Sequence, residues 1–225
     1  MGLAGFYMLR DANERRLQKQ NVIPSGNFEV GLVLQDRQFT NKGELYYPPE
    51  DKGSYPVAPF PTHLPEFFGD VILVNGSAWP RMPVERRKYR FRLLNGSDSR
   101  FYALNIQMEK LSAKGPSTPT GPRLPIMVIG NELGLLNSPV NAFWSAPADP
   151  TLPVPVPVNT VGGGISQADT LLIGPGERYD VVIDFSAIAP GSRLLLWNDA
   201  ATPYNGQMAD GSEYVAPTPG LSDRV

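Results

Sequence analysis

Prolines and glycines punctuate this chain too often for a long helix to survive between them. Its 225 residues include 24 prolines and 22 glycines, nearly twice the usual share of about 12% for the pair. Each proline fixes φ and removes a backbone donor, which bars it from a helix interior or a central strand. Short apolar runs with a period of two remain between the breaks. Residues 29–35, EVGLVLQ, place Val30, Leu32 and Leu34 on one face. Residues 70–74, DVILV, lead through Asn75-Gly76, a tight-hairpin dipeptide, to Ser77, Ala78 and Trp79.

The alternation is strictest at residues 87–93, RKYRFRL, where Tyr89, Phe91 and Leu93 point one way and Lys88, Arg90 and Arg92 the other. Asn95-Gly96 then turns the chain into a strand at 101–106, and further strands are expected at 171–173, 178–185 and 193–197. Only residues 12–20, ANERRLQKQ, read as helix, closed off by Pro24-Ser25-Gly26. Three stretches carry clustered prolines: 48–65 with six, 112–125 with four and 147–157 with five. The first is expected to cross the surface in extended conformation, and the other two to be insertions in surface connections between strands. The sum is an all-β chain, an antiparallel sandwich or barrel with long Pro-rich loops.

What the chain can do is bounded by what it lacks. It has no cysteine and one histidine, His63, which removes disulfides, thiolate nucleophiles and any metal centre built on several imidazoles. His63, within PTHLP, is expected to be structural. A net charge of −2 gives no general hold on nucleic acid. The run at 86–92, RRKYRFR, looks like a basic aromatic patch, but its alternation buries the aromatics and projects the charges from one sheet face. Glu177 with Asp180 or Asp184 could form an acid/base pair; at a turn opening a strand they are expected to satisfy backbone and arginine instead. Gly162-Gly163-Gly164 lacks the spacing and the helix of a phosphate cradle. Asn75-Gly76-Ser77 and Asn95-Gly96-Ser97 match glycosylation acceptors, yet a turn role suffices for both. The apolar run at residues 1–9 ends at Arg10 and Asp11, short of the roughly 20 residues of a membrane span. No basic stretch precedes it, so neither a span nor a secretory leader is expected.

Four stretches taken together resemble the multicopper oxidases: GLAGFYMLRD at 2–11, GDVILVNG at 69–76 with Trp79-Pro80, KYRFRLLN at 88–95, and PGERYDVVIDFS at 175–186. The resemblance is strongest to the bacterial spore-coat laccase, bilirubin oxidase and phenoxazinone synthase group. It implies a cupredoxin-like Greek-key sandwich. It also implies a division of the chain: residues 1–25 as the final strand of a preceding cupredoxin domain plus linker, 26–200 as the second, linking domain, and 201–225 as an irregular tail.

In that family a mononuclear copper takes single electrons from phenol-like donors and a trinuclear cluster passes four to dioxygen, forming water. Copper of this kind needs about ten imidazoles and a thiolate, ligands suited to it. The resemblance therefore implies a copper-free chain, inactive alone, whose partners are flanking copper-bearing domains and, in the full-length protein, a small organic donor. No nucleic acid or membrane is expected as a partner, and exposed interfaces are expected to drive self-association. By the same resemblance, one wall of the donor pocket would come from Phe68, Ser99, Phe101, Ala201, Thr202 and Pro203, aromatic and small side chains suited to an apolar ligand. Two other classes compete: an independent β-sandwich binding module, and a copper-free hydrolase working through carboxylates.

Overall fold

A computed structural model describes residues 3–46, 66–113, 115–145, 166–200 and 202–204. The helix forms where expected. Asp11 caps α1 (Ala12–Lys19) by accepting from the Glu14 amide at 2.6 Å, with Glu14 in the first turn and Arg16 and Lys19 in the last, an order that complements the helix dipole. A single 3-10 turn, Gly26–Phe28, opens into β1 (Glu29–Arg37). Then come β2 (Val71–Val74), β3 (Ser77–Ala78), β4 (Lys88–Asn95), β5 (Tyr102–Lys110), β6 (Thr118–Thr120), β7 (Ile126–Asn131) and β8 (Gly134–Asn141). Finally β9 (Phe143–Ser145) pairs with β10 (Ser166–Ala168), followed by β11 (Leu171–Ile173), β12 (Arg178–Asp184) and β13 (Leu194–Asn198).

Seven strands form one sheet in the order β3-β2-β1-β4-β12-β7-β8; β11, β5 and β13 form the second, with β6 beside the far end of β5. The Asn75-Gly76 turn is the expected hairpin, both residues having positive φ, 50° and 82°. Its Asn75 side chain also grips β1, accepting from Val33 N at 2.8 Å and donating to Gly31 O at 2.9 Å. One pairing departs from expectation: β1 and β4 run parallel, Glu29 opposite Arg90 through Leu34 opposite Asn95. The β2–β3 hairpin lies on one side of β1 and the chain returns on the other. Parallel and antiparallel neighbours share the same alternation, so the sequence pattern does not separate them.

Other differences are local. Residues 3–10 form no strand: Leu3, Tyr7 and Leu9 are exposed, and Phe6 lies against Gly31, where a Cβ would meet its ring at 2.9 Å. The Pro-rich stretch at 112–125 carries β6, an edge strand around Pro119, the position a sheet allows proline. The stretches at 48–65 and 147–157 lie outside the described residues, as do His63 and Gly162-Gly163-Gly164. The β7–β8 hairpin has no counterpart in the sequence reading. Among the described residues β8 is outermost in its sheet, and its eight residues are mostly exposed and carry no charge.

Alternation builds the core. Leu34 and Ile72, Tyr89, Phe91 and Leu93, Ile126 and Val128, and Val181 and Ile183 come from the large sheet. They join Tyr102, Leu104, Ile106, Leu171 and Ile173 of the second sheet in one buried cluster. Tyr89 stacks on Phe91 with centroids 6.0 Å apart, and Phe185 meets Tyr89 edge-on at 5.8 Å, a geometry the ring quadrupoles favour.

Within this core the Tyr102 hydroxyl meets Ser97 Oγ at 2.8 Å. Burial, helped by the charge of Asp36, pushes the Tyr102 phenol above its ordinary value. A raised folded-state value means the neutral form is favoured by folding. That contribution is complete below about pH 10, the unfolded range, and is lost as pH rises further. Urea unfolding is expected to show stability falling above that pH, with a smaller fall in Tyr102→Phe; an identical alkaline limb in the variant would contradict the assignment.

Candidate functional site

One end of the sandwich converges on a guanidinium. Arg100, in the loop from β4 to β5, is 2% exposed. Its Nε donates to Asp36 Oδ2 at 3.2 Å, Nη2 to Gly69 O at 2.8 Å and Nη1 to Thr202 Oγ1 at 2.8 Å, and it lies 5.9 Å from the Phe68 ring centroid. Asp36, wholly buried near the end of β1, also accepts from Gly69 N at 2.6 Å. The fork geometry of arginine suits this task, since it ties three separate segments through one charge. Asn95 completes the frame by donating to Arg100 O at 2.8 Å and Ile173 O at 3.1 Å, while its Oδ1 accepts from Ser97 N at 3.0 Å.

Five of the six residues expected on a pocket wall sit around this frame. Phe68 lies beside Arg100, and Ser99 Oγ accepts from Phe67 N at 3.2 Å. Phe101 stacks on Tyr204 at 4.7 Å, against Ala103 and Ala200. Thr202 is bonded to Arg100, and Pro203 follows it through a cis peptide bond. Ala201 lies outside the described residues. The sequence reading missed Arg100, Asp36 and Tyr204. For Asp36 a signal existed: it continues the inward series Val30, Leu32, Leu34, and a carboxylate at a core position calls for a buried cation.

A second polar cluster lies under α1. Arg90 Nε donates to both Asp180 oxygens, at 2.8 and 3.0 Å, and its Nη2 also bonds Asp180. Arg90 Nη1 donates to Glu14 Oε1 at 2.8 Å, and Arg92 donates to Glu14 at 2.5 Å and to Glu29 at 2.6 Å. Arg10 bonds Glu14 at 2.8 Å and Glu29 at 2.8 and 3.0 Å. Burial works to raise the Glu29 carboxyl, but hydrogen bonds from Arg10 and Arg92 prevail and hold it below the usual range. The basic row of β4 does project from one sheet face, as its alternation requires. Its middle is covered rather than solvated: Arg90 is 1% exposed and Arg92 half-buried, while Lys88 stays exposed.

The candidate acid/base carboxylates are committed elsewhere. Glu177 accepts from Gly174 N at 2.6 Å, Asp184 from Ser186 N at 2.9 Å, and Asp180 is held by Arg90. Backbone and ion-pair duties thus occupy all three. No helix among the described residues is long and apolar enough to cross a membrane.

Comparison with known proteins fits this frame. The laccase of Bacillus stratosphericus is 34% identical over 205 residues, 88% of this chain and 31% of that protein. The Bacillus subtilis laccase is 33% identical over 199 residues, again 88% of this chain and 30% of the relative. McoA, a multicopper oxidase of Aquifex aeolicus, superposes on 84% of this chain with a TM-score of 0.59 and 28% identity, 31% of its own length being matched.

The chain is a homologue of part of a multicopper oxidase. No protein-family model matches it. It spans about a third of the multicopper oxidases it matches, and its two sheets have the cupredoxin-like build of its multicopper oxidase neighbours. The copper of that family does not fit the residues in hand. One histidine and no cysteine fall short of the several imidazoles and the thiolate that such copper takes, and the six methionine thioethers and the carboxylates that remain do not replace them. Among the described residues, no group of three or more His, Cys, Asp or Glu could hold a metal ion.

Proposed function

We propose that this chain is the copper-free linking part of a laccase-type multicopper oxidase: residues 26–200 as the linking domain, 1–25 as the approach from a preceding domain. The observation that carries the reading is the alignment of nearly all of this chain to under a third of each laccase. Oxidation of phenol-like donors with reduction of dioxygen to water would then belong to copper held outside these residues. The chain's own work is geometric. It spaces its neighbours and supplies Phe68, Ser99, Phe101, Ala201, Thr202 and Pro203 as one wall of the donor pocket, with Arg100 fixing the three segments that carry them.

Exposed apolar side chains support missing neighbours over an independent module. Leu3, Tyr7, Leu9, Leu133, Val140 and Phe143 are all at least half exposed, apolar side chains suited to contact with further protein. The purified chain, incubated with cupric ion and desalted, is expected to show no thiolate-to-copper absorption, no stoichiometric bound copper and no turnover of a phenolic dye. Stoichiometric copper with dye oxidation would overturn the reading. Sedimentation is expected to show self-association; a well-behaved monomer at high concentration would favour the independent module.

A further inference from the structure

The geometry points to α1 as a latch that opens while the sheet beneath it stays folded. The helix is held by charge, not by an apolar stripe. Of its eight residues Glu14 alone is buried, Leu17 and Gln18 are half-buried, and the rest face solvent. Most helices of soluble proteins stay docked through an apolar face. Here Glu14 reaches the sheet through Arg90 and Arg92, Arg10 reaches it through Glu29, and Gln18 Nε2 adds a bond to Glu29 at 3.0 Å.

The arrangement of partners makes opening feasible. Parting a buried ion pair is ordinarily prohibitive because it strands a charge. In this cluster each side stays neutral when separated. The departing segment keeps its own Arg10–Glu14 pair, an i,i+4 contact at 2.8 Å. The sheet keeps Arg90 on Asp180 and Arg92 Nε on Glu29 at 2.6 Å. The charges facing Glu14 are therefore Arg10 on its own segment and Arg90 and Arg92 on β4. Glu29 on β1 and Asp180 on β12 balance them from behind. Opening exchanges the interfacial bonds for water and leaves three closed pairs. The hinge follows from the same contacts: Ile23 is buried just beyond the helix, so the movable part is residues 10–21.

Native-state hydrogen exchange on the intact chain tests this. Amides near the end of α1, Gln20 and Asn21, which donate to Arg16 O and Gln18 O, are expected to exchange at least about tenfold faster than those of β4 and β12, without denaturant dependence, as for a local opening that melts so short a helix. Glu14→Gln is expected to speed them about tenfold more, because the ion pairs of the carboxylate with Arg90 and Arg92 become hydrogen bonds to a neutral amide oxygen, while β4 and β12 keep their wild-type rates. Leu17→Ala serves as the apolar control and is expected to do less. The proposal is overturned if α1 opens only with the whole sheet, if Glu14→Gln loosens β4 and β12 equally, or if Leu17→Ala releases the helix more than Glu14→Gln does. None of these readings depends on the proposed oxidase role.

Discussion

Arg90→Met is expected to lower folding stability by about 3–5 kcal/mol, the usual result of removing one partner from a buried ion pair. The guanidinium engages Asp180 through two nitrogens and Glu14 through a third, and all three side chains are at most 9% exposed. Without it, Asp180 stays in the sheet with one distant positive neighbour, Arg92 Nη1 at 3.8 Å. Domains of this size are stable by roughly 5–15 kcal/mol, so the loss would take about a fifth of the total or more. A urea titration followed by far-ultraviolet circular dichroism measures it. Arg90→Lys is expected to recover only part, since a point charge cannot fill a fork geometry. A loss below about 1 kcal/mol, the range of solvated surface pairs, would mean water reaches the cluster.

The second large effect concerns Gly69. A Cβ there would lie 2.4 Å from Arg37 N and 2.5 Å from Arg37 O, both backbone atoms of β1. A strand in the middle of a sheet cannot step aside. Gly69→Ala is expected to cost about 3 kcal/mol or more, the upper part of the range for forced overpacking. It should also disturb the Arg100 frame, because Gly69 gives its carbonyl to Arg100 and its amide to Asp36. Gly31→Ala makes the contrast: its Cβ would meet the Phe6 ring at 2.9 Å, and a half-buried side chain can swing away. That variant is expected to lose no more than about 1 kcal/mol, the low end of the same range. Equal losses in the two would show that β1 yields at Arg37 as readily as Phe6 does.

The fold was legible where neighbours in sequence carry the information. The alternation of Tyr89, Phe91 and Leu93, the Asn75-Gly76 turn and the capped helix each depend on residues a few positions apart. They appear in the structure within one or two residues of their expected limits. Pairings across the chain were not legible. Arg90 meets Glu14 from 76 residues away and Arg100 meets Asp36 from 64, so the basic strand's cover and the frame's anchor emerge only once the sheet is assembled. The β1–β4 direction was hidden for a different reason: alternation is blind to polarity. Of the expected wall, Phe68, Ser99, Phe101, Thr202 and Pro203 are gathered at one end, yet the arginine that gathers them is a residue type sequence patterning assigns to surfaces.

The outermost strand of the large sheet bears on how this chain behaves in bulk. β8 runs for eight residues without a lysine, glutamate, aspartate or arginine, and Pro139 is the one position along it that withholds an amide donor. Natural proteins usually guard such rims with charge, because a bare row of backbone groups templates the addition of foreign strands and ends in insoluble fibrils. Among the described residues the guard is a single pyrrolidine ring, which makes this rim a place where crowding during overproduction would turn a folded molecule into a seed.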